Sequence, residues 1–263
     1  MNLYRREMRA HMKSLLIWIA GIIAMLAAGM GKFTGMEESG DAMNELMADM
    51  PKALQAIMGV GQLDIGTPIG YYGVLFLYLL LMAAIHASML GAAIISKEER
   101  DKTAEFLLAK PLSRGGLLLC KLLAAMTQVL VFNLVMLIGS ILVIGSYAGE
   151  ESSTGAVLSL MGGMLLVQLV FLTVGMAIAG AGRQPKRAVA YSAAVMLLTF
   201  LLSMAIEISG HIDYLRVLSP FQYANAAAVI DQGVGAGYTL LSLGITAIAL
   251  VILFVGYNRR DMR

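Results

Sequence analysis

Six apolar runs, most of them long enough to cross a bilayer, dominate the 263-residue chain and leave room for little except a helical membrane bundle. They fall at about residues 15–30, 71–96, 117–146, 154–181, 188–206 and 238–257. A crossing takes about 20 apolar residues as an α-helix, because a backbone without water must satisfy its own polar groups. Composition agrees: 59% of residues are hydrophobic and 14% charged, whereas soluble domains carry about 25% charged residues. The expected fold class is all-α: a polytopic membrane protein of six transmembrane helices in a single transmembrane domain, residues 1–263.

Basic residues set the expected orientation. With the N-terminus inside, the inner segments collect 16 of the 19 Lys and Arg residues, leaving Lys32, Lys52 and Arg216 outside. Both termini are therefore expected in the cytosol. Residues 1–13 carry Arg5, Arg6, Arg9 and Lys13 between Leu3, Tyr4, Met8 and Met12, a pattern suited to an N-terminal interfacial helix that leads straight into the first span. A cleaved signal peptide is the rival for this start, but the apolar run is long for one and no small-x-small site ends it. We expect a retained helix.

The connections are uneven. Residues 32–66 turn acidic, and Met43, Leu46, Met47 and Met50 share one helical face before Pro51 interrupts them. Leu54, Ile57 and Met58 resume the face ahead of Gly59, so two short amphipathic outer helices are expected. Between Glu207 and Gly237, a Pro220-Phe221 corner precedes Ala226–Ile230, too short to span and suited to a re-entrant or surface-lying helix.

Residues 97–124 are the sizeable stretch dense in both signs of charge. Glu98, Glu99, Asp101 and Glu105 interleave with Lys97, Arg100, Lys102 and Lys110, as on a solvated helical surface. From Thr103, residues Ala104, Leu107 and Leu108 would share one face, Pro111 would stop that helix, and Ser113 could cap the next one. Such a helix, wedged between two spans, is a lever that a soluble partner could push.

Catalytic patterns are missing from the sequence. No HExxH occurs, Glu98-Glu99 lacks the arginine of an EExxxR pattern because Thr103 occupies its place, and Gly31-Lys32 is not part of a phosphate loop. His11, His86 and His211 are too scattered for a metal site, and the single Cys120 forms no intrachain disulfide. A net charge of +2 does not point to nucleic acid. Methionines spread over every run serve as adaptable apolar packing. Within the spans, His86, Gln128, Asn133, Gln168 and Thr173 are the main polar side chains, whose ordinary role in lipid is to hydrogen-bond neighbouring helices. His86 is placed about 15 Å from the inner end of its span, near the bilayer midplane.

Taken together, Ser96 to Arg100, Thr103, Glu105, Leu107, Leu108, Pro111, Ser113, Arg114 and Lys121 resemble the cytosolic loop after the second span in permease subunits of type 2 ATP-binding cassette (ABC) exporters. The likeness extends to the basic start, the stretch from Met50 to Leu54, and Leu218 to Tyr223. The resemblance implies a permease of the cell membrane that pairs with a second copy or a sister permease and with separate ATP-binding cassette ATPase subunits. It implies that ATP is used by the partner, with no cofactor bound by this chain. Carried onto this sequence, the ATPase-coupling interface would comprise Glu98, Glu99, Arg100, Thr103, Glu105, Phe106, Leu107, Pro111 and Arg114. The expected function is export of an amphipathic or hydrophobic substrate. The alternatives are an intramembrane enzyme centred on His86 and a non-transporting membrane scaffold or sensor.

Overall fold

A computed structural model describes residues 2–33, 40–60, 63–100, 113–147, 153–182, 184–210 and 212–259. Helix α1 (Asn2–Met30) is continuous: no proline interrupts it, so the basic segment and the first span form one rod. Two short helices follow, α2 (Gly40–Ala48) and α3 (Lys52–Met58), with Pro51 at the α3 N-cap and Gly59 ending it in the left-handed conformation (φ 72°). Ala56 and Val60 are buried beneath α3, while Leu46, Leu54 and Ile57 stay exposed on the outer surface of these helices.

The second span is α4 (Pro68–Arg100), opened by Thr67, whose Oγ1 accepts from the Gly70 N–H at 3.1 Å. The third is α5 (Arg114–Gly145), and its expected cap forms: Ser113 Oγ accepts from the Gly116 N–H at 3.1 Å. Then come α6 (Thr154–Ala181), a 3-10 turn at Pro185–Arg187, and α7 (Ala188–Ser209), which Gly210 ends with φ 62°. The next connection holds a 3-10 segment (Asp213–Leu218), α8 (Pro220–Tyr223) and α9 (Ala226–Gln232); α10 (Ala236–Asn258) completes the chain. Among the described residues the structure is helical, and α1, α4, α5, α6, α7 and α10 are long and apolar enough to cross a membrane. The connection after α7 folds back onto the bundle: Phe221, Tyr223, Ala224 and Val229 are buried, and α9 packs on α4 and α6.

Helix α6 is the axis of the bundle, touching α4, α5, α7, α9 and α10. Its contact with α4 is close because small residues line it. A Cβ on Gly91 would fall 2.1 Å from the Leu172 carbonyl oxygen, and one on Gly175 would fall 2.5 Å from that of Ser88. Backbones this near bring van der Waals contact and interhelical hydrogen bonds into play, which replace the hydrophobic effect as the associating force in lipid. Ser192 Oγ on α7 donates to the Ser88 carbonyl oxygen at 3.1 Å, which leaves Ser88 Oγ as the donor in its 2.7 Å bond to Ser192 Oγ. The α6–α10 contact uses the same device, with Gly180 against Leu253 and Gly256 against Ala181.

Gly91→Val forces α4 and α6 apart and is expected to cost ~3 kcal/mol or more. Gly162→Ala, in open space, is expected to leave stability unchanged. Heating the detergent-solubilised variants stepwise and following the monodisperse peak by size-exclusion chromatography checks both outcomes.

Candidate functional site

Lys121 is the most unusual residue in the bundle. It stands eight positions into α5 in the run Leu117–Leu123, and its side chain is 0% exposed. A buried ammonium is tolerable only when paired and hydrogen-bonded. Its Nζ donates to Glu98 Oε2 at 2.6 Å and to the Ile94 carbonyl oxygen, and lies 3.7 Å from Glu7 Oε2. Arg6 closes the cluster, with Nη2 at 2.8 Å from Glu7 Oε1 and 3.1 Å from Glu98 Oε1. Two cations and two carboxylates thus join the start of α1, the end of α4 and the start of α5. The charges of these four side chains cancel.

This cluster places the predicted coupling residues. Glu98 has its carboxylate turned inward onto Lys121 and Arg6, Glu99 is half-buried, and Arg100 is exposed at the last turn of α4. Arg114 Nη1 donates to the Asn258 carbonyl oxygen at 3.2 Å, tying the start of α5 to the end of α10. Thr103, Glu105, Phe106, Leu107 and Pro111 lie outside the described residues. Both flanks of the 101–112 segment are therefore fixed to other helices, and they share one end of the bundle with the start of α1 and the end of α10.

The intramembrane polar residues separate into pairs and singletons. Asn133 Nδ2 on α5 donates to Gln168 Oε1 on α6 at 3.1 Å and to the Met161 carbonyl oxygen at 3.2 Å, the helix-joining role expected of such groups. Thr173 Oγ1 donates within its own helix to Leu169 and Val170 carbonyl oxygens. Gln128 is fully buried, and neither carboxamide atom has a hydrogen-bond partner among the described residues. His86 is not grouped with these amides by any hydrogen bond. Its ring stacks on Phe132 (4.9 Å between centroids, 13° between planes) and packs on Trp18 at 5.8 Å. Trp18 and Phe132 each lie eleven residues beyond their partners in the charge cluster, so this aromatic layer sits about 17 Å above it.

At the opposite end, α3, α4, α7, α8 and α9 surround a cavity of about 660 Å³. Glu207, in the last turn of α7, lines it with Oε1 accepting from Asn225 Nδ2 at 2.8 Å and Gln222 Nε2 at 3.4 Å. Gln222 also donates to Ser203 Oγ at 2.8 Å.

Sequence reasoning passed over Glu7, Lys121 and Glu207 as site residues. A signal existed for the first two. Lys121 interrupts an apolar run, where a charge demands a counter-charge, and Glu7 is the first acid of the chain and stands alone until Glu37. Their pairing with each other and with Glu98 required the packing of three helices.

Removing one member of a buried ion pair strands the other and costs about 3–5 kcal/mol. Lys121→Met is expected to show that loss as a lowered melting temperature in detergent. Lys121→Met combined with Glu98→Gln, which leaves the Arg6–Glu7 pair intact, is expected to regain most of it.

Comparison with known proteins agrees with this architecture. A search of curated proteins finds none that matches the chain. A family model described as ABC-2 family transporter protein matches residues 1–262. With six apolar helices and a match along practically its whole length, the chain is an integral multi-pass membrane protein and belongs to the ABC-2 transporter family.

Proposed function

We propose that this chain, as a single domain, is the membrane-spanning permease subunit of an export system of the cell membrane, driven by a separate ATP-binding subunit that docks on the segment joining α4 to α5. The substrate class is amphipathic or hydrophobic, and a second permease copy or a sister permease completes the pathway. Both termini are cytosolic in this arrangement.

The observation that carries the proposal is the charge cluster at the base of the bundle. A docked ATPase can drive a conformational change only through contacts that differ between its two states, and those contacts must then reach the spans. The 101–112 segment leaves α4 two residues after Glu98 and enters α5 seven residues before Lys121. Glu98 and Lys121 are bonded to each other, and both are bonded or close to the α1 pair of Arg6 and Glu7. A push on the segment is therefore felt at once by α1, α4 and α5, and through Arg114 by α10. In this reading Glu98 acts from inside, as the anchor of the lever, while Glu99, Arg100 and Glu105 supply the docking charge.

The orientation rests on the same basic residues, now gathered in space. Lys97, Arg100, Arg114, Lys186, Arg187 and Arg259 stand at the ends of helices that meet at the end of the bundle where Arg6 lies, the asymmetry that keeps basic ends in the cytosol. The stacking of His86 on Phe132 supports a packing role for it over a catalytic one.

Reversing Arg100 and Glu105 together (Arg100→Glu, Glu105→Arg) alters the docking charge and spares the buried cluster. The variant is expected to insert and fold normally but to lose the ATP-binding subunit on affinity purification in mild detergent, with ATPase activity in the eluate falling at least tenfold. Full retention of partner and activity would count against docking at this segment.

A further inference from the structure

We propose that the cavity beside Glu207 is a binding site for amphipathic organic cations, with the positive group held at the Glu207 carboxylate and the apolar body on the wall of α4. The proposal rests on the export reading and names its substrate class.

The volume of about 660 Å³ is that of a small-molecule pocket. Its walls change character with depth. Leu77 lies about 14 Å along α4 from Pro68 at 1.5 Å per residue, and with Leu63 and Met204, all three half-buried, it forms the apolar floor. Lys52, Asp213, Arg216 and Asp231 belong to the exposed mouth. Glu207 sits between the two zones, half-buried, within one turn of Ser203 on α7.

The charge of the lining is what selects the ligand. Arg216 and Asp213 neutralise each other at 3.0 Å. This leaves the carboxylates of Glu207 and Asp231 against the single ammonium of Lys52. Glu207 is held by two neutral amides, Gln222 and Asn225, and no salt bridge to it forms among the described residues. Amides orient a carboxylate without cancelling its charge, so a half-buried Glu207 favours a cation and repels an anion. The half-buried ring of Tyr238 in the lining adds to the preference, since a desolvated cation is attracted to an aromatic ring. The apolar floor demands that the cation carry a hydrophobic body.

The test uses the purified full-length protein in lipid nanodiscs with tetraphenylphosphonium as probe and tetraphenylborate as its anionic match in size and shape, binding being followed by equilibrium dialysis. The expected result is saturable binding of the phosphonium, at least tenfold weaker in Glu207→Gln, with the borate bound no better than to empty nanodiscs. Glu207→Gln retains the side-chain oxygen that accepts from Gln222 and Asn225. Ala228→Trp, which narrows the cavity from an exposed lining position, is expected to weaken phosphonium binding without disturbing Glu207. Equal binding of the two ions, no specific binding of either, or phosphonium binding unchanged in both variants would each overturn the proposal. Because the assay needs no nucleotide or partner, it is separable from the export reading. Loss of cation binding with an ATP-binding subunit still co-purifying rejects only the cavity assignment. Cation binding with no ATP-binding subunit recovered rejects only the export reading.

Discussion

The ammonium of Lys121, buried where three helices meet, sets the terms for one end of this protein. An isolated ion of that size in an apolar interior is penalised by several kcal/mol, and the chain answers from two other helices, with Glu98 at 2.6 Å and Glu7 at 3.7 Å. Arg6 then balances the second carboxylate. The arrangement constrains geometry more than it adds stability, since a well-packed apolar replacement of a buried ion cluster is often neutral. What apolar packing would not supply is direction. A charge pair holds its helices at one register, whereas leucine faces in lipid can slide with little change in energy. The cluster therefore fixes how far α1, α4 and α5 are displaced along one another, and so positions the aromatic layer of Trp18, His86 and Phe132 above it.

The middle of the bundle follows a different rule. Here the close approach of α4 and α6 depends on Gly91 and Gly175, and on the hydroxyl pair Ser88–Ser192 that reaches α7. Contacts through backbone and small side chains are short-ranged and lose their attraction within about an ångström of separation. They make α4, α6 and α7 a rigid group, with α10 joined to it through Gly180 and Gly256. Helices α1, α7 and α10 have the most exposed apolar surface of the spans, Ile17, Leu198, Leu201, Ile248 and Val251 among it, facing lipid or another chain.

Much of this fold was legible in the sequence because each deciding signal was local. Apolar length marked the spans to within a few residues at most ends, Ser113 marked the start of α5, and Pro51 and Gly59 bounded α3. The basic segment and the first span being one rod could also have been read, since nothing in 2–20 breaks a helix. The functional groups were less legible for a physical reason. Arg6 and Glu98 are 92 positions apart across α1 and α4, and Glu98 and Lys121 are 23 apart from α4 to α5, and a salt bridge leaves no trace in local periodicity. Glu98 illustrates the limit well: the pattern around it identified the segment, but its residue type on a charged stretch pointed outward, while the neighbouring Lys121 draws it in. Glu207 looked like the polar end of a span, and only the folding of 220–232 back onto the bundle gave it a cavity to face.

The two ends of the molecule are linked by this division of labour. Helix α4 is common to all of it: Glu98 at its last turn is bonded into the charge cluster, Gly91 and Ser88 fasten its middle to α6 and α7, and Leu77 lines the cavity beside Glu207. Helix α7, which carries Glu207, is tied to α4 by the serine pair, about 22 Å along its own axis from that carboxylate at 1.5 Å per residue. A displacement imposed on α4 at the charged end would therefore carry α6 and α7 with it, since the three are packed as one group. Rigid elements packed together carry displacement over such distances without a chain of small adjustments, because packed interfaces switch between discrete arrangements and do not deform continuously. The contact that holds the bundle together at its centre is thus also the one that joins its two ends.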